Sequence, residues 1–287
     1  MTADTVEIDG LQGWVGRSES ARDLVTASAL AGLSAALDRA DPYPAPGTAA
    51  LPGAHWLFFH PHARQSELDI TGHSSSGEFL PPAPLPRRMW AGGRLRFHRP
   101  LRVGQAIERV STIRDITVKQ GRSGMLVFVL VHHAITGPDG LAVEEEHDIV
   151  YREAAGPDEK PRPPQMAPDG AVWTRTVAPD ASLLFRFSAL TFNASRIHYD
   201  YRYVTEVEGY PGLIVNARMV AIMLLAMCRT ERPDDALTGF DFRFMRPLFD
   251  TAPFTLAGRV GDDAATASLW AANAEGHLSM TAEARFG

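Results

Sequence analysis

The densest group of chemically active side chains lies in TFNASRIHYD, residues 191–200. His198 is its one imidazole, and a histidine with an ordinary pKa of about 6.5 can accept or release a proton near neutral pH. Asn193 and Ser195 can orient a water molecule or a carbonyl group, but neither is a proton-transfer base at ordinary pH. In an extended segment Asp200 would share a face with His198, where it could act as a second base or fix the imidazole tautomer. These residue types favour acid–base catalysis.

A structural interpretation of the same segment stays open. A histidine that precedes a helix is often a hydrogen-bonded structural residue, and an aspartate such as Asp200 can simply cap a turn. The segment lies between two apolar stretches, LLFRFSAL before it and YPGLIV after it. Its polar residues could therefore form a connection between two buried elements rather than a site.

The start of the following helix is a second candidate for chemistry. Gly212 predicts a turn, and Asn216 is an N-cap candidate for the apolar helix that follows. Free N–H groups at a helix N-terminus, together with the helix dipole, can hold a carbonyl oxygen or an anion. Ala217 adds a methyl group where a glycine would allow closer approach. Arg218 is a cation in the first turn, which the dipole disfavours, so it either pairs with a substrate carboxylate or is solvated.

Other polar residues give weaker signals. Arg87 and Arg88 could hold a carboxylate or the phosphates of a carrier, or could be plain surface charges. His132 and His133 are neighbours in a predicted strand, so they point to opposite faces and cannot jointly bind a metal ion. The three glutamates at 144–146 are typical of a solvated strand edge. We find no phosphate-binding loop, dinucleotide fingerprint or zinc-ligand spacing, and we expect no metal or cofactor.

The predicted elements follow a similar order in the two halves of the chain. The first half contains a helix in DLVTASALAGLSAALDRA and four strands in RLRFHRPL, AIERVSTIRDITVK, MLVFVLVHHAI and AVEEEHDIVYR. The second half contains a strand in LLFRFSAL, a helix in ARMVAIMLLAMCR and four strands in GFDFRFMRPL, PFTLAGRV, ATASLWAANA and LSMTAEARF. The helix in the second half is apolar on nearly every face, as expected when a curved sheet wraps around it.

An internal duplication explains this order. The hexapeptide RFHRPL at 96–101 returns as RFMRPL at 243–248, an offset of 147 residues in a chain of 287. We predict an N-terminal unit over residues 1–155, a proline-rich linker over 156–170 and a C-terminal unit over 171–287. Each unit is expected to be α+β, with one helix covered by an antiparallel sheet.

Composition excludes several classes of protein. The net charge of −6 argues against a general nucleic-acid binder. No segment approaches the roughly 20 apolar residues that span a bilayer, and the acidic N-terminus is no secretory signal. The single cysteine, Cys228, lies in an apolar helical pattern and is expected to be structural. It also fits a reducing cytoplasm, which is the predicted location.

Several longer motifs resemble one enzyme family. LPRRMWAGGRLRFHRPLRVG, KQGRSGMLVF and IVYRE in the first half are similar to the mesaconyl-CoA hydratase branch of the MaoC-like acyl-thioester dehydratases, as are FRFSALTFN, RIHYD and EGYPGLIV in the second. The resemblance covers about residues 14–285. It implies a double hotdog fold, in which each of two tandem units curls a sheet around a helix. It also implies that the second unit carries the site and that the first, a degenerate unit, supplies binding surface.

The resemblance also assigns residue roles. Members of this family carry an acid and a histidine five residues apart, and these positions fall on Asn193 and His198. The thioester carbonyl is held at the start of the hotdog helix, which corresponds to Asn216 and Ala217. The chain departs from the branch pattern at Ser195, where a histidine is expected, and at Asn216-Ala217, where the pattern has His-Gly.

Two functions follow from this resemblance. The first is a hydratase or dehydratase of an acyl thioester carried on coenzyme A or a carrier protein, with His198 and Asn193 as catalytic residues. The second is a repurposed hotdog protein, either a natural-product cyclase or isomerase or a non-catalytic acyl binder, because two histidines of the branch pattern are replaced. A homodimer is the expected assembly, and neither a nucleic acid nor a membrane is an expected partner.

Overall fold

The computed structural model describes residues 8–74, 79–121, 124–153 and 163–287. In the first half, a short helix and an edge strand precede a second helix, and four long strands follow. These elements are α1 (Ile8–Gln12), β1 (Ser18–Leu24), α2 (Ala27–Ala36), β2 (Arg87–Phe97), β3 (Ala106–Gly121), β4 (Gly124–Gly137) and β5 (Gly140–Arg152). Two 3₁₀ helices, Ala54–Leu57 and Gln65–Glu67, lie in the long connection between α2 and β2.

The second half repeats this order with one more long helix. Its elements are β6 (Trp173–Val177), α3 (Ala181–Leu190), α4 (Ala217–Glu231), β7 (Leu237–Phe244), β8 (Phe254–Val260), β9 (Thr266–Ala272) and β10 (Leu278–Phe286). A 3₁₀ helix at Arg196–His198 and a π-helical turn at Tyr203–Val207 lie between α3 and α4. The edge strands β1 and β6 were not expected from the sequence.

All ten strands form one antiparallel sheet in the order β1-β3-β4-β5-β2-β7-β10-β9-β8-β6. The strands in which the repeated hexapeptides begin, β2 and β7, pair with each other at the centre of the sheet. Arg94 lies opposite Asp241, and Leu95 lies opposite Phe240. On each side of this pair the strands follow the same order, which agrees with the predicted duplication. The limits of the two units and of the linker remain predictions, since residues 154–162 lie outside the described part of the chain.

Helix α4 is the helix that the sheet wraps. The Asn216 side chain caps its N-terminus by accepting a hydrogen bond from the Arg218 backbone N–H at 2.9 Å. Every residue from Met219 to Cys228 is buried, and the helix packs against β7, β8, β9 and β10. Cys228 is a buried free thiol within this packing, as its structural interpretation requires.

The first half has no helix of this kind among its described residues. Helix α2 packs mainly against α3, and between α2 and β2 the longest helical segment is the four-residue 3₁₀ helix Ala54–Leu57. The expectation of one sheet-wrapped helix in each half therefore holds only for the second half.

The stretch LLFRFSAL was expected to be a strand and is a helix, α3. Asp180 caps it by accepting a hydrogen bond from the Leu183 N–H at 2.7 Å. Leu184 and Phe187 are buried, whereas Phe185 is 61% exposed. The burial therefore follows a helical period, and the aromatic alternation that favoured a strand was misleading. Within the described residues, no helix is long and apolar enough to cross a membrane.

Candidate active site

The decapeptide TFNASRIHYD is a folded turn rather than an extended strand. Phe192 adopts a left-handed conformation, with φ of 49°, directly after α3 ends. The Asn193 Oδ1 then accepts a hydrogen bond from the Ser195 N–H at 3.0 Å, which closes the turn. Ser195 is buried, and its carbonyl accepts from the His198 N–H at 3.2 Å in the 3₁₀ helix that follows. This turn carries the imidazole into the protein interior.

His198 is buried and its tautomer is set by one strong hydrogen bond. Its Nδ1 lies 2.7 Å from the Ile214 carbonyl oxygen, and because a carbonyl only accepts, Nδ1 carries the proton. Burial lowers the pKa of His198 to about 4. The Ile214 hydrogen bond opposes this shift, and the nearby His73 adds to it. The side chain is therefore neutral at pH 7, with an unprotonated Nε2 that can act as a base.

The unprotonated Nε2 of His198 faces the start of α4. The Asn216 Nδ2 lies 3.4 Å from it, a long contact in which the amide donates. The Asn216 Oδ1 already accepts from the Arg218 N–H, so this one residue joins the imidazole to the helix. Among the described residues, the N–H groups of Ala217 and Met219 make no hydrogen bond. These two donors lie in the first turn of the helix, where a carbonyl or enolate oxygen is best stabilised.

Gly212 has a packing role in the turn before α4. A Cβ at this position would lie 2.4 Å from the Asp250 Oδ1, so only glycine fits. The same carboxylate oxygen accepts a hydrogen bond from the Leu213 N–H at 2.8 Å. The contact holds the chain that leads into the helix, and it does not bring Gly212 to His198.

Asp200 is engaged in local structure and not with the imidazole. Its Oδ2 accepts hydrogen bonds from Arg196 at 2.8 and 3.0 Å, and its Oδ1 accepts from the Tyr203 N–H at 3.0 Å. The Tyr203 hydrogen bond, followed by Arg196, lowers the pKa of this carboxyl. The expectation that Asp200 shares an extended face with His198 is wrong, because the 3₁₀ helix rotates the two side chains apart.

A loop from the first half covers the decapeptide. The Thr71 carbonyl accepts from the Arg196 N–H at 3.0 Å. At Gly72, whose φ is +87°, an added Cβ would lie only 1.9 Å from the Ala194 carbonyl oxygen. Burial lowers the pKa of the adjacent His73, and the charge of Arg88 lowers it further. The candidate site is thus built where the two halves meet, which the spacing of residues in the sequence could not show.

Arg87 and Arg88 lie on opposite faces of β2, as neighbours in a strand must. Arg88 is on the same face as Trp90. Burial raises the pKa of the Tyr151 phenol, and the charge of Arg88, together with a hydrogen bond from it, offsets part of this effect. Its charge also contributes to the lowered pKa values of His73 and His147. Arg88 is therefore an exposed cation at the rim of the site, whereas Arg87, which is also exposed, lies on the other face of the strand.

Residues on the inner face of the first-half sheet form a polar group that sequence reasoning missed. We call this group the inner polar stripe. It runs across three adjacent strands and consists of Arg109, Ser111, His133, Glu145 and His147. Its polar residues replace the valines and isoleucines that the same strands carry elsewhere on this face. The signal was present in β5, where Glu145 and His147 alternate in register with the apolar Val143 and Ile149.

Glu145 corrects the expectation of a solvated edge at 144–146. It is 4% exposed, and its carboxylate accepts from the Trp56 Nε1–H at 3.0 Å and contacts the His55 Nε2 at 3.3 Å. Glu144 lies on the outer face, where its Oε1 is 3.3 Å from the His132 Nε2. His133 lies on the inner face, where its Nδ1 is 2.8 Å from the Ser111 hydroxyl oxygen. The prediction that the two histidines point apart is confirmed.

The two imidazoles of the inner polar stripe have a lowered proton affinity, although the charge of Glu145 opposes this. Burial lowers the pKa of His133 to about 4 and that of His147 to about 3, and the Arg218 charge contributes to both. Burial opposes ionisation of Glu145, but the His55 hydrogen bond and the neighbouring imidazoles hold its pKa below the ordinary carboxyl range. At neutral pH the stripe therefore contains neutral histidines and one carboxylate.

Two surface cavities lie away from these residues. One, of about 340 Å³, is lined by residues such as Pro211, Phe249 and His277. The other, of about 490 Å³, lies on the outer face of the sheet near Arg94 and Asp148. Neither contains His198 or a residue of the inner polar stripe. Across the residues described by the structure, no group of three or more histidine, cysteine, aspartate or glutamate side chains could hold a metal ion.

The fold and the geometry of the candidate site are now in place, and comparison with known proteins identifies the family. Residues 53–250 match the family model "Hydroxyacyl-thioester dehydratase type 2". The chain is also 45% identical, over 276 residues, to the mesaconyl-C(4)-CoA hydratase of Chloroflexus aurantiacus, covering 96% of this chain and 97% of that relative. The chain belongs to the hydroxyacyl-thioester dehydratase family, and it is a hydro-lyase of the hydratase/dehydratase type.

Solved structures confirm the expected α+β double hotdog fold. A MaoC-like dehydratase from Phytophthora capsici superposes with a TM-score of 0.71 at 12% identity, covering 98% of each chain. A double-hotdog protein from Mycobacterium tuberculosis superposes with a TM-score of 0.58 at 13% identity, covering 95% of this chain and 96% of that one. The likeness at these identities concerns the fold.

Proposed function

We propose that this protein adds water to an enoyl thioester, or removes it from a 3-hydroxyacyl thioester, with His198 as the acid–base residue. The observation that carries the proposal is the unprotonated Nε2 of a buried His198, which faces the N-terminus of α4 through Asn216. This places a base beside two free backbone N–H groups, at Ala217 and Met219. A base next to an oxyanion site is what addition of water to an α,β-unsaturated thioester requires.

In the hydration direction, the thioester carbonyl oxygen accepts hydrogen bonds from the Ala217 and Met219 N–H groups. His198 Nε2 removes a proton from water while the oxygen of that water forms a bond to the β-carbon. The electron pair of the C=C bond moves to the thioester oxygen as an enolate, which the same N–H groups and the helix dipole stabilise. The imidazolium then returns its proton to the α-carbon, so that one water molecule is added in total. Dehydration follows the same steps in reverse.

Three polar residues around the imidazole would position the water and the substrate. The Asn193 Oδ1 is occupied by the Ser195 N–H, so its Nδ2 is the group that can donate to a water molecule or a substrate hydroxyl. Ser195 is buried next to it and can accept or donate one further hydrogen bond. Asn216 holds the Nε2 side of the ring towards α4. We assign these residues positioning roles, with proton transfer left to His198.

Coenzyme A or a carrier protein would bring the acyl group to the site. Arg88, exposed at the rim near His73 and Tyr151, is placed to meet an anionic carrier. The name of the relative from Chloroflexus aurantiacus makes a mesaconyl thioester the first substrate to assay. Crotonyl-CoA and 3-hydroxybutyryl-CoA are the matched comparisons for the two directions of the reaction. We also propose that the protein is a homodimer and that it is located in a reducing cytoplasm.

The test is turnover of these thioesters by the wild type and by His198→Asn. Loss of the acid–base group is expected to lower kcat by about 10²- to 10⁴-fold. His98→Met is the control, because it changes a surface histidine of the first repeated hexapeptide into the residue of the second copy; His98 is 42% exposed and pairs with Glu144. We expect this control to keep wild-type activity. Unchanged turnover in His198→Asn would refute the assignment.

A repurposed site is the second candidate function. The observation that favours it is the replacement of the branch histidines and glycine by Ser195, Asn216 and Ala217. A cyclase, an isomerase or an acyl-binding protein would give no hydration or dehydration product with any of the three thioesters. The double variant Ser195→His, Asn216→His separates the alternatives: a gain of hydratase activity would mean that the native residues serve another reaction.

A further inference from the structure

A tight loop of the first half holds a partly exposed histidine, His73, beside the candidate site. Within this loop the Asp69 Oδ1 accepts from the Thr71 N–H at 2.8 Å, the Thr71 hydroxyl at 2.6 Å and the His73 N–H at 3.1 Å. The Asp69 N–H in turn donates to the His73 carbonyl oxygen at 2.8 Å. A carboxylate that binds the backbone in this way fixes the turn, so the imidazole of His73 is held in a defined place.

The same hydrogen bonds set the tautomer of His73. The Thr71 hydroxyl has one proton, and it donates that proton to the Asp69 carboxylate, which only accepts. In the 2.8 Å contact between the Thr71 Oγ1 and the His73 Nδ1, the imidazole is therefore the donor. Burial and then the charge of Arg88 lower the pKa of His73, so the ring is neutral at pH 7. Its Nε2 is an unprotonated acceptor without a hydrogen-bond partner among the described residues.

This loop rests on the turn that carries His198. The Thr71 carbonyl accepts from the Arg196 N–H, and the Ile70 carbonyl accepts from the Arg196 guanidinium, both at 3.0 Å. Among the described titratable residues, His73 is the one whose charge contributes to the lowered pKa of His198. The two imidazoles therefore lie near each other where the halves of the chain meet. Each has its proton on Nδ1, bound to the protein, and an unprotonated Nε2.

A water molecule that attacks the β-carbon needs an acceptor for each of its two hydrogens. The His198 Nε2 accepts one hydrogen and removes it as a proton. Without a second acceptor the water can rotate, and the lone pair that must face the β-carbon is not held there. The groups at the start of α4 are donors. They are the two free N–H groups, the Asn216 amide nitrogen and the half-buried Arg218, whose guanidinium lies 5.3 Å from the centre of the Trp90 ring. The second acceptor must therefore come from outside this helix.

We propose that the Nε2 of His73 accepts the second hydrogen of the attacking water, and then the hydrogen of the 3-hydroxyl group that this water becomes. The water oxygen donates to His198 and His73, accepts from the Asn193 Nδ2 and directs its remaining lone pair at the β-carbon. The proton that leaves goes to His198 and returns to the α-carbon, so His73 exchanges no proton and one water molecule is still added in total. The inference rests on the proposed function, because it assumes that the water lies at the His198 Nε2.

The Asp69–Thr71 pair explains why His73 can serve as this acceptor. A protonated imidazole donates from both nitrogens and could not hold an O–H hydrogen. The Thr71 contact commits Nδ1 as the donor, which leaves Nε2 as the acceptor. In the dehydration direction the same nitrogen recognises a thioester that has a hydroxyl group on its β-carbon. His73 therefore contributes to substrate specificity as well as to the orientation of the water.

Competition by two thioesters tests the role of His73. Butyryl-CoA and 3-hydroxybutyryl-CoA differ by one hydroxyl group, and their inhibition constants are measured on the initial rate of crotonyl-CoA hydration. In the wild type we expect the hydroxyl group to tighten binding about 10-fold. His73→Leu should abolish that preference and lower kcat about 10- to 100-fold. His73→Gln, which restores an acceptor oxygen, should recover part of both. His98→Leu, the same change at an exposed histidine on the outer face of the sheet, is the matched control.

The hydroxyl preference of each variant separates an acceptor role of His73 from a structural one. Equal inhibition by the two thioesters in the wild type would overturn the proposal. So would a preference that survives in His73→Leu, because the Ser195 hydroxyl would then be the acceptor. If His73→Leu binds neither thioester, His73→Gln decides: a recovered preference supports the acceptor role, and no recovery contradicts it.

Calorimetry with the same two thioesters separates this inference from the proposed function, because binding needs no turnover. If none of the assayed thioesters is hydrated or dehydrated, a hydroxyl preference that depends on His73 would refute the proposed reaction and keep the hydroxyl site. Equal binding of the two thioesters in that case would overturn both.

Discussion

The inner faces of the two half-sheets carry opposite chemistry at equivalent positions. In the repeat, Leu95 of β2 is equivalent to Phe242 of β7. Leu95 lies opposite Glu145 in the neighbouring strand, and Phe242 lies opposite Ala282. The next inward residue of β5 is His147, and its equivalent in β10 is Ala284. The same difference continues across the neighbouring strands. Each polar residue of the first half has an apolar equivalent in the second: Leu269 for His133, Gly258 for Ser111 and Leu256 for Arg109.

The central helix explains this difference. In the second half α4 covers the inner face, and small or apolar side chains are needed so that the helix can pack. In the first half a 3₁₀ helix of four residues replaces it, so the same face is free to carry polar groups. The second half has kept the central helix α4, and the first half contributes the inner polar stripe, which lies near the N-terminus of α4. The two copies thus differ in what covers the inner face of the sheet: a packed helix in the second half and polar groups in the first.

The largest expected effect tests the packing side of this comparison. Leu224, in the middle of α4, has no exposed surface, so Leu224→Ala leaves a cavity under the second half-sheet. We expect the free energy of unfolding to fall by about 2–5 kcal/mol, measured by urea denaturation. The same change at Leu24 of β1, which is 47% exposed, should cost less than about 0.5 kcal/mol. A small effect at Leu224 would contradict the central role of α4.

Much of this architecture could be predicted from the sequence, and the reason is repetition. RFHRPL and RFMRPL marked the two strands that pair at the sheet centre, and the order of elements around them showed the two units. His198 was singled out as the one imidazole of a polar decapeptide, and Asn216 was predicted as the N-cap of the apolar helix that follows. Local patterns were sufficient wherever the chemistry is contained in one continuous segment.

The remaining features depend on contacts between distant segments. Glu145 looked like a solvated residue because two other glutamates flank it, and only the pairing of β5 with β4 shows that it faces inward. Gly72 lies in a polar stretch that gave no signal, since its contact with Ala194 crosses 122 residues of sequence. LLFRFSAL was predicted as a strand because its aromatic residues alternate, and the cap at Asp180 was overlooked. Tertiary packing decided each of these cases.

The second prediction uses pH to test the buried histidines, two in the inner polar stripe of the first half and one in the second half. His133, His147 and His198 have folded-state pKa values of about 4, 3 and 4, below the value of about 6.5 in an unfolded chain. The unfolded chain therefore binds protons first as the pH falls below 6.5. Stability is complete above that pH and is lost as the pH falls towards the folded-state pKa values. Denaturation at pH 7.5 and 5.0 should show a loss of about 1–2 kcal/mol per histidine.

His133→Leu sharpens this test, because it copies Leu269, the equivalent residue of the second half. The variant should lose one histidine's share of the pH dependence, about 1–2 kcal/mol between pH 7.5 and 5.0. Glu145 does not interfere in this range, since its stabilising ionised form is lost only below the ordinary carboxyl pKa. A pH dependence equal to that of the wild type would show that the stripe is not titrating as described. His98→Met, on the outer face, is the control.

The smallest expected effect concerns the contact through which the first half reaches the decapeptide. Gly72→Ala forces an alanine into a φ of +87° and places its Cβ 1.9 Å from the Ala194 carbonyl oxygen. Gly47 is a matched control, because its φ is +83° and a Cβ there would meet nothing within 4 Å. Both alanine variants should lose about 1 kcal/mol of unfolding free energy from backbone strain.

Only the Gly72 variant must also displace the turn that carries His198, because Ala194 lies within it. We therefore expect kcat/KM to fall about 10-fold in Gly72→Ala and to stay near the wild-type value in Gly47→Ala, in a steady-state assay with the best thioester. Equal kinetics in the two variants would mean that the loop only covers the site. A selective loss would mean that the first half holds the catalytic turn in place, so that the duplication shares the positioning of the base as well as the recognition of the substrate.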